Sequence, residues 1–161
     1  MKVISKQKNS HDCIICGMDN ELGLHAHFYN TEDNKVVSKV VFKFEHQSYP
    51  GRTHGGMISA LLDELIGRAI WIKDENAWGV TIKLEVRYRK PVPYGVPLMA
   101  FGELISETSR TFTGSGYIKD LDGNILAEAT GTYMRLPIDK ITDANNEHAE
   151  MFLIEDDITE I

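Results

Sequence analysis

The residues of this chain best spaced to do chemistry are a glycine pair and a carboxylate. His54-Gly55-Gly56 opens an apolar stretch, residues 52–71, and Asp63 follows about two turns later. Two glycines let the backbone turn sharply and leave the first N–H groups of a helix open to a substrate. The helix dipole makes that end attractive to a developing negative charge. Transfer of an acyl group to water needs an oxyanion donor and an acid that can activate water. At 3.6 residues per turn, Gly56, Ser59, Asp63 and Gly67 share one face, and the three small residues would let a backbone or ligand approach the acid. The competing reading makes Asp63 a structural acid, hydrogen-bonded or paired with Lys or Arg, because an uncompensated charge on a buried helix is costly. Glu64, one turn before Arg68, reads as half of a helix-surface ion pair.

The elements that must position these residues follow from the pattern on either side. Residues 52–71 are apolar on nearly every face, so a helix there, ending near Lys73, expects to be buried all round. The chain otherwise reads mostly as strands and turns. Strands are expected over 21–30 and 35–46, with a turn at 31–34 between them and Pro50-Gly51 marking the loop into the helix. After the helix, Ile82, Leu84, Val86 and Tyr88 alternate with Lys83, Glu85, Arg87 and Arg89, the pattern of a half-buried strand. Further strands are expected over 96–106, 110–119 and 125–136, with Asp122-Gly123 as a hairpin turn. Two strands, one long helix and four more strands pack most economically as an antiparallel sheet curled around the helix, an α+β fold.

The 161 residues are 42% apolar, enough for one domain with a real core. No apolar run reaches membrane-spanning length, and residues 1–10 lack the apolar stretch of a secretory signal, so a cytoplasmic protein without membrane contact is expected. The net charge of −7 lies entirely after Pro137, where eight acids face one base. The remaining body balances 16 acids with 16 bases, and no basic face suggests nucleic acid. The division expected is an N-terminal segment 1–20, a central domain 21–136 and an acidic tail 137–161. The tail's apolar residues 151–154 are suited to docking on a neighbouring surface.

Cys13-Ile-Ile-Cys16-Gly17 is a CxxC motif. A redox motif is expected at the start of a helix beside a βαβ unit, and no such unit follows. A zinc site needs two more ligands, for which His11, His25 and His27 are near in sequence. His25 and His27 would share a face of the expected first strand. No second CxxC appears, so the reading favours a structural turn with buried thiols and no metal.

Taken together, these pieces resemble the hotdog-fold acyl-CoA thioesterases, specifically their PaaI-like branch. The resemblance is carried by Cys13-x-x-Cys16-Gly17-x-x-Asn20-x-x-Gly23-Leu24, Tyr49-Pro50-Gly51-x-x-His54-Gly55-Gly56, Leu61-Leu62-Asp63-Glu64, Thr81-x-x-Leu84-x-Val86-x-Tyr88-x-x-Pro91, and Asp122-Gly123 with Ala127-x-Ala129-x-Gly131. It implies a six-stranded antiparallel sheet wrapped around one long central helix. It also implies a homodimer joined sheet edge to sheet edge, often paired again into a tetramer, with active sites drawing residues from both subunits. Asp63 stands where the resemblance implies the catalytic carboxylate, acting as general base or as nucleophile. By the same resemblance Gly55 or Gly56 would supply the oxyanion N–H, and Thr81, donated by the neighbouring subunit, would orient water. The loop residue that steadies substrate in some relatives would be Gln47 or Ser48.

The implied reaction is hydrolysis of an acyl-CoA thioester without metal or organic cofactor, coenzyme A entering only as part of the substrate. Arg89, Lys90 and Arg110 are the cations available for its phosphates. His54 reads as a packing residue at the helix start in preference to a proton-transfer group. Two other readings stand beside hydrolysis: a non-catalytic module binding acyl-CoA or an acyl carrier, and a hotdog hydratase or dehydratase, which would want a catalytic His.

Overall fold

The computed structural model describes residues 1–142 and 151–161. Its strands form one antiparallel sheet: β1 (Val3–Lys6), β2 (Tyr29–Thr31), β3 (Lys35–Val41), β4 (Gly79–Tyr88), β5 (Pro97–Glu107), β6 (Thr111–Lys119) and β7 (Ile125–Arg135). The order across the sheet is β1-β2-β3-β5-β6-β7-β4. The helix α1 (Gly55–Arg68) lies between β3 and β4 in the chain, so the long crossover carries β4 to the far edge. A short helix, α2 (Ile138–Ile141), follows the last strand.

The sheet wraps α1. Ile58, Leu61, Leu62, Leu65 and Ile66 are buried on the helix, with Leu98, Ala100, Phe112, Ile118 and Leu126 from the sheet and Phe42 just after β3 in the same core. The packing is close enough that a Cβ at Gly102 on β5 would come within 2.6 Å of the Leu65 carbonyl. Burial of α1 is not complete, however. Ser59, Asp63 and Gly67 are only half-buried and Gly56 is exposed, so the face that carries the acid opens toward the β4 edge.

Several expectations are corrected here. The sheet has seven strands, because Val3–Lys6 adds an edge strand beside β2. The expected first strand contracts to Tyr29–Thr31, since His25 adopts a left-handed backbone (φ 54°) that a regular strand does not accommodate. His25 and His27 therefore do not share a strand face. The second strand stops at Val41 and gives way to a 3₁₀ turn at Phe44–His46. The helix proper ends at Arg68 and tightens into a 3₁₀ turn over Ala69–Ile72. The Glu64–Arg68 pair, 2.7 Å apart, is not on the surface, because the Arg68 side chain is 3% exposed.

Residues 151–161 lie along the N-terminal segment. Asn9 and Phe152 exchange both backbone hydrogen bonds, and the Phe152 ring packs on His11 at 4.7 Å. Lys6 and Tyr29 both hold Asp156. The tail acids Asp143, Glu147 and Glu150 lie outside the described residues. Among the described residues no helix is long and apolar enough to cross a membrane.

Candidate active site

Asp63 is held by hydroxyl groups rather than by a cation. The Thr81 hydroxyl reaches Oδ1 at 2.9 Å and Oδ2 at 3.1 Å, and the Tyr133 hydroxyl lies 3.0 Å from Oδ1 and 3.0 Å from the Asp63 carbonyl. Asp63 takes part in none of the ion pairs among the described residues. Its side chain sits in the wall of a cavity of about 1060 Å³, with Thr81, Tyr133, Gly67 and Trp71 also lining it.

Local structure explains how three separate elements meet there. Asp63 projects from the third turn of α1. Tyr133 comes from β7, and its ring fits because Gly67 and Gly131 carry no side chain: a Cβ would stand 3.3 Å from the ring at Gly67 and 2.6 Å from the hydroxyl at Gly131. Thr81 comes from β4, whose pairing with β7 shifts register between Thr81 and Lys83. That bulge lets Thr81 face the helix together with Leu84 and Val86, three and five residues further on, where strict alternation would not. Burial, and then the charge of Asp63, push the Tyr133 hydroxyl well above its ordinary range, so it remains a proton donor.

The helix start is capped by its own histidine. His54 Nδ1 accepts the Gly56 N–H at 2.9 Å, a side-chain cap on the first turn. The N–H of Gly55 has no acceptor among the described residues. Tyr88, from the end of β4, places its hydroxyl 2.8 Å from the Gly55 carbonyl and 2.6 Å from Ser59 Oγ. Ser48 is exposed in the loop before the helix, where its N–H bonds the Arg52 carbonyl at 2.8 Å; Gln47 is half-buried and bridges to Thr53.

The structure does not bring all of the expected residues together. The N–H of Gly55 and the Asp63 carboxylate are eight residues apart on one helix, roughly 12 Å of axial rise. A single carbonyl cannot touch both within one chain. Thr81, expected from a neighbouring subunit, reaches the Asp63 of its own chain. Arg89 pairs with Glu128, and the Lys90 ammonium donates to Asn124 at 2.9 Å. Arg110 sits in the β5–β6 turn at the other end of the sheet, opposite Arg135 while Arg89 is opposite Leu126, roughly 30 Å away along the strands. These three cations do not converge on one set of phosphates within a chain. Tyr133 and Tyr88 were not among the expected site residues. Tyr133 is signalled only by strand alternation, and Tyr88 by alternation and its place in the Thr81–Pro91 motif, which give a face and not a partner.

Beside Glu64, lining the same cavity, the CxxC segment packs on α1. Cys13 Sγ accepts the N–H groups of Ile15 (3.3 Å) and Cys16 (3.4 Å). A hydrogen bond from Cys16, with help from these backbone donors, lowers the Cys13 thiol to about 6, and the same bond together with burial raises Cys16. Burial works against the charge of Arg68, but Glu64 outweighs it and the guanidinium is raised.

Comparison with known proteins agrees with this architecture. Residues 50–127 match the thioesterase superfamily. The mouse acyl-coenzyme A thioesterase THEM4 is 29% identical over 117 residues, 72% of this chain and 50% of that protein. A thioesterase superfamily protein of known crystal structure is 32% identical, with a TM-score of 0.70 over 78% of this chain and 60% of its own. A hypothetical thioesterase from Streptococcus pneumoniae, solved with coenzyme A, is 22% identical with a TM-score of 0.63, covering 70% of this chain and 86% of its own; that likeness is one of fold. The sheet wrapped on one helix is a hotdog fold, and within it residues 50–127 carry the likeness to the thioesterase superfamily. The chain spans half the length of the curated mouse relative.

Proposed function

We propose that this protein hydrolyses acyl-CoA thioesters: water adds to the thioester carbonyl, the C–S bond breaks, and the products are the free acid and coenzyme A. The observation that carries the reading is the Asp63 carboxylate, oriented by Thr81 and Tyr133 at the wall of a cavity and engaged by no cation among the described residues. Asp63 takes the proton from the attacking water or attacks the carbonyl itself, and Thr81 keeps its oxygens in place. The Gly55 N–H, the free donor at the positive end of α1, receives the oxyanion. No metal or cofactor enters the reaction, since a thioester is already an activated acyl group. The mouse relative's name, acyl-coenzyme A thioesterase, supports the substrate class.

The 12 Å between Gly55 and Asp63 argues for a site shared by two copies. β4 is a ten-residue edge strand with Ile82 52% and Tyr88 51% exposed. An unpaired edge of that length invites pairing with another strand, and two copies joined antiparallel through β4 would set their helices side by side in opposite directions. The Gly55 of one copy would then approach the Asp63 of the other. A cytoplasmic location fits the two free thiols. The use of His54 as a cap argues against the hydratase reading, which needs that imidazole for proton transfer.

The deciding experiment is thiol release from a panel of acyl-CoAs by wild type, Asp63→Ala and Asp63→Asn. Loss of the acid should lower kcat by about 10²–10⁴-fold. Wild-type turnover in either folded variant would refute the assignment, and no turnover of any acyl-CoA by wild type would leave a binding protein.

A further inference from the structure

The sequence offered no complete metal site near the CxxC turn; of the three histidines it suggested, two are engaged elsewhere, and His27, whose Nδ1 is buried without a hydrogen-bond partner among the described residues, is not part of the cluster the thiols form. His11 Nδ1 contacts Asp19 at 2.6 Å, and His25 Nε2 contacts the Asn20 carbonyl at 2.6 Å. The third ligand comes from the helix instead. The Sγ atoms of Cys13 and Cys16 and a carboxylate oxygen of Glu64 all lie within 4.8 Å of one another. We propose that Cys13, Cys16 and Glu64 form a binding site for a thiophilic divalent cation, zinc above all, that ties the N-terminal segment to α1.

Three observations favour a metal over other uses of the pair. First, the turn is shaped around a thiolate. Two backbone N–H groups converge on Cys13 Sγ, the Gly17 N–H bonds the Cys13 carbonyl at 2.8 Å, and a Cβ at Gly17 would stand 2.4 Å from that carbonyl oxygen. Only glycine closes this turn. Second, the segment is a turn and not a helix start, where a redox CxxC is expected. Third, the charges balance. Two thiolates and Glu64 carry three negative charges, which zinc and Arg68 together offset. Arg68 holds Glu64 Oε1 through Nε, leaving Oε2 for a metal, and its guanidinium stacks on Phe28 and Trp71 at 4.4 Å and 4.8 Å.

Zinc accepts cysteine and carboxylate ligands in tetrahedral sites, and a three-ligand set leaves one position for water. Cys13, Cys16 and Glu64 line the same cavity as Asp63, so solvent can fill it. The proposed role is structural and does not rest on thioesterase activity.

The test uses the full chain, reduced and stripped with a chelator. Cobalt(II) is titrated in, and thiolate-to-metal charge transfer is followed in the near ultraviolet. The expected result is one cobalt per chain, displaced by zinc, with both thiols shielded from a thiol-specific reagent. Cys13→Ser and Cys16→Ser should abolish the band. Glu64→Gln should weaken binding by about tenfold or more, since even outer-shell partners of metal sites are worth that much. Circular dichroism separates loss of metal from loss of fold, and the wild-type titration stands without any variant. Absence of the charge-transfer band in wild type would overturn the proposal, as would undiminished affinity in folded Glu64→Gln.

Discussion

The Thr81 hydroxyl bridges both carboxylate oxygens of Asp63, at 2.9 Å and 3.1 Å, across the gap between an edge strand and the central helix. A bulged strand is what aims Thr81 there. One hydroxyl on both oxygens fixes the plane of the carboxylate, and thereby the direction in which a lone pair meets water. Thr81→Val keeps the shape and removes the donor. A hydrogen bond to a charged group is worth about 1.5–3 kcal/mol, so kcat should fall roughly 10- to 100-fold with KM little changed. Thr81→Ser should retain most of the activity. Steady-state kinetics on one good acyl-CoA checks both.

Tyr133 acts on the same acid from the buried side. Tyr133→Phe removes the donor to Oδ1 and to the Asp63 carbonyl while the ring stays stacked on Phe112 at 4.9 Å. The expected cost is about 1–2 kcal/mol of stability, read as a lower urea midpoint at unchanged slope. Because Thr81 and Tyr133 hold one carboxylate, the double variant should lose less activity than the product of the single losses.

Parts of this site were legible in the sequence and parts were not. Helical spacing placed Gly56, Ser59, Asp63 and Gly67 on one face; of these Asp63 and Gly67 line the cavity, while Ser59 meets the Tyr88 hydroxyl. Alternation marked β4, and Asp122-Gly123 marked the β6–β7 turn, where Gly123 has φ 86°. The partners of Asp63 were less legible because they depend on register. Period two says that Tyr133 and Tyr88 face inward, but a sheet must be assembled before either meets a helix residue 70 or 29 positions away. β1 was missed because four residues with only two apolar side chains carry little periodicity. Arg68 was misjudged because pair spacing on a helix does not reveal what covers the pair.

The contact between the C-terminal segment and the sheet edge should depend on pH. Lys6 first, and Tyr29 next, hold Asp156 at about 2, below the 3.8 of a free side chain. A carboxyl depressed in the folded state contributes its full stabilisation above about pH 4 and loses it as pH falls toward 2. Amide exchange at Asn9 and Phe152, whose backbones pair, should therefore accelerate between pH 4 and pH 2 relative to the core of α1, once intrinsic rates are divided out. Asp156→Asn should show fast exchange already at neutral pH, with no further change on acidification.

The shared-site arrangement makes the sharpest prediction, because Gly55 can lose its N–H without losing its helix. Gly55 is the first residue of α1, where proline is favoured and has no N–H to offer. His54 before it has φ −63° and ψ 135°, the extended conformation a residue preceding proline adopts. The added ring atoms meet the Tyr88 hydroxyl at about the 3.3 Å found for a Cβ, a contact a side chain can relieve. Gly55→Pro should therefore fold as a dimer and lose about 100- to 1000-fold in kcat. Asp63→Ala should be inactive for an unrelated reason. If each site takes Gly55 from one copy and Asp63 from the other, a heterodimer of the two variants contains one site lacking both groups and one site lacking neither. Mixing equal amounts through a step of denaturation and refolding makes half of the dimers mixed, so about a quarter of wild-type activity should return. Within a single-chain site every copy in the mixture would carry one defect, and activity would stay at the level of the separate variants.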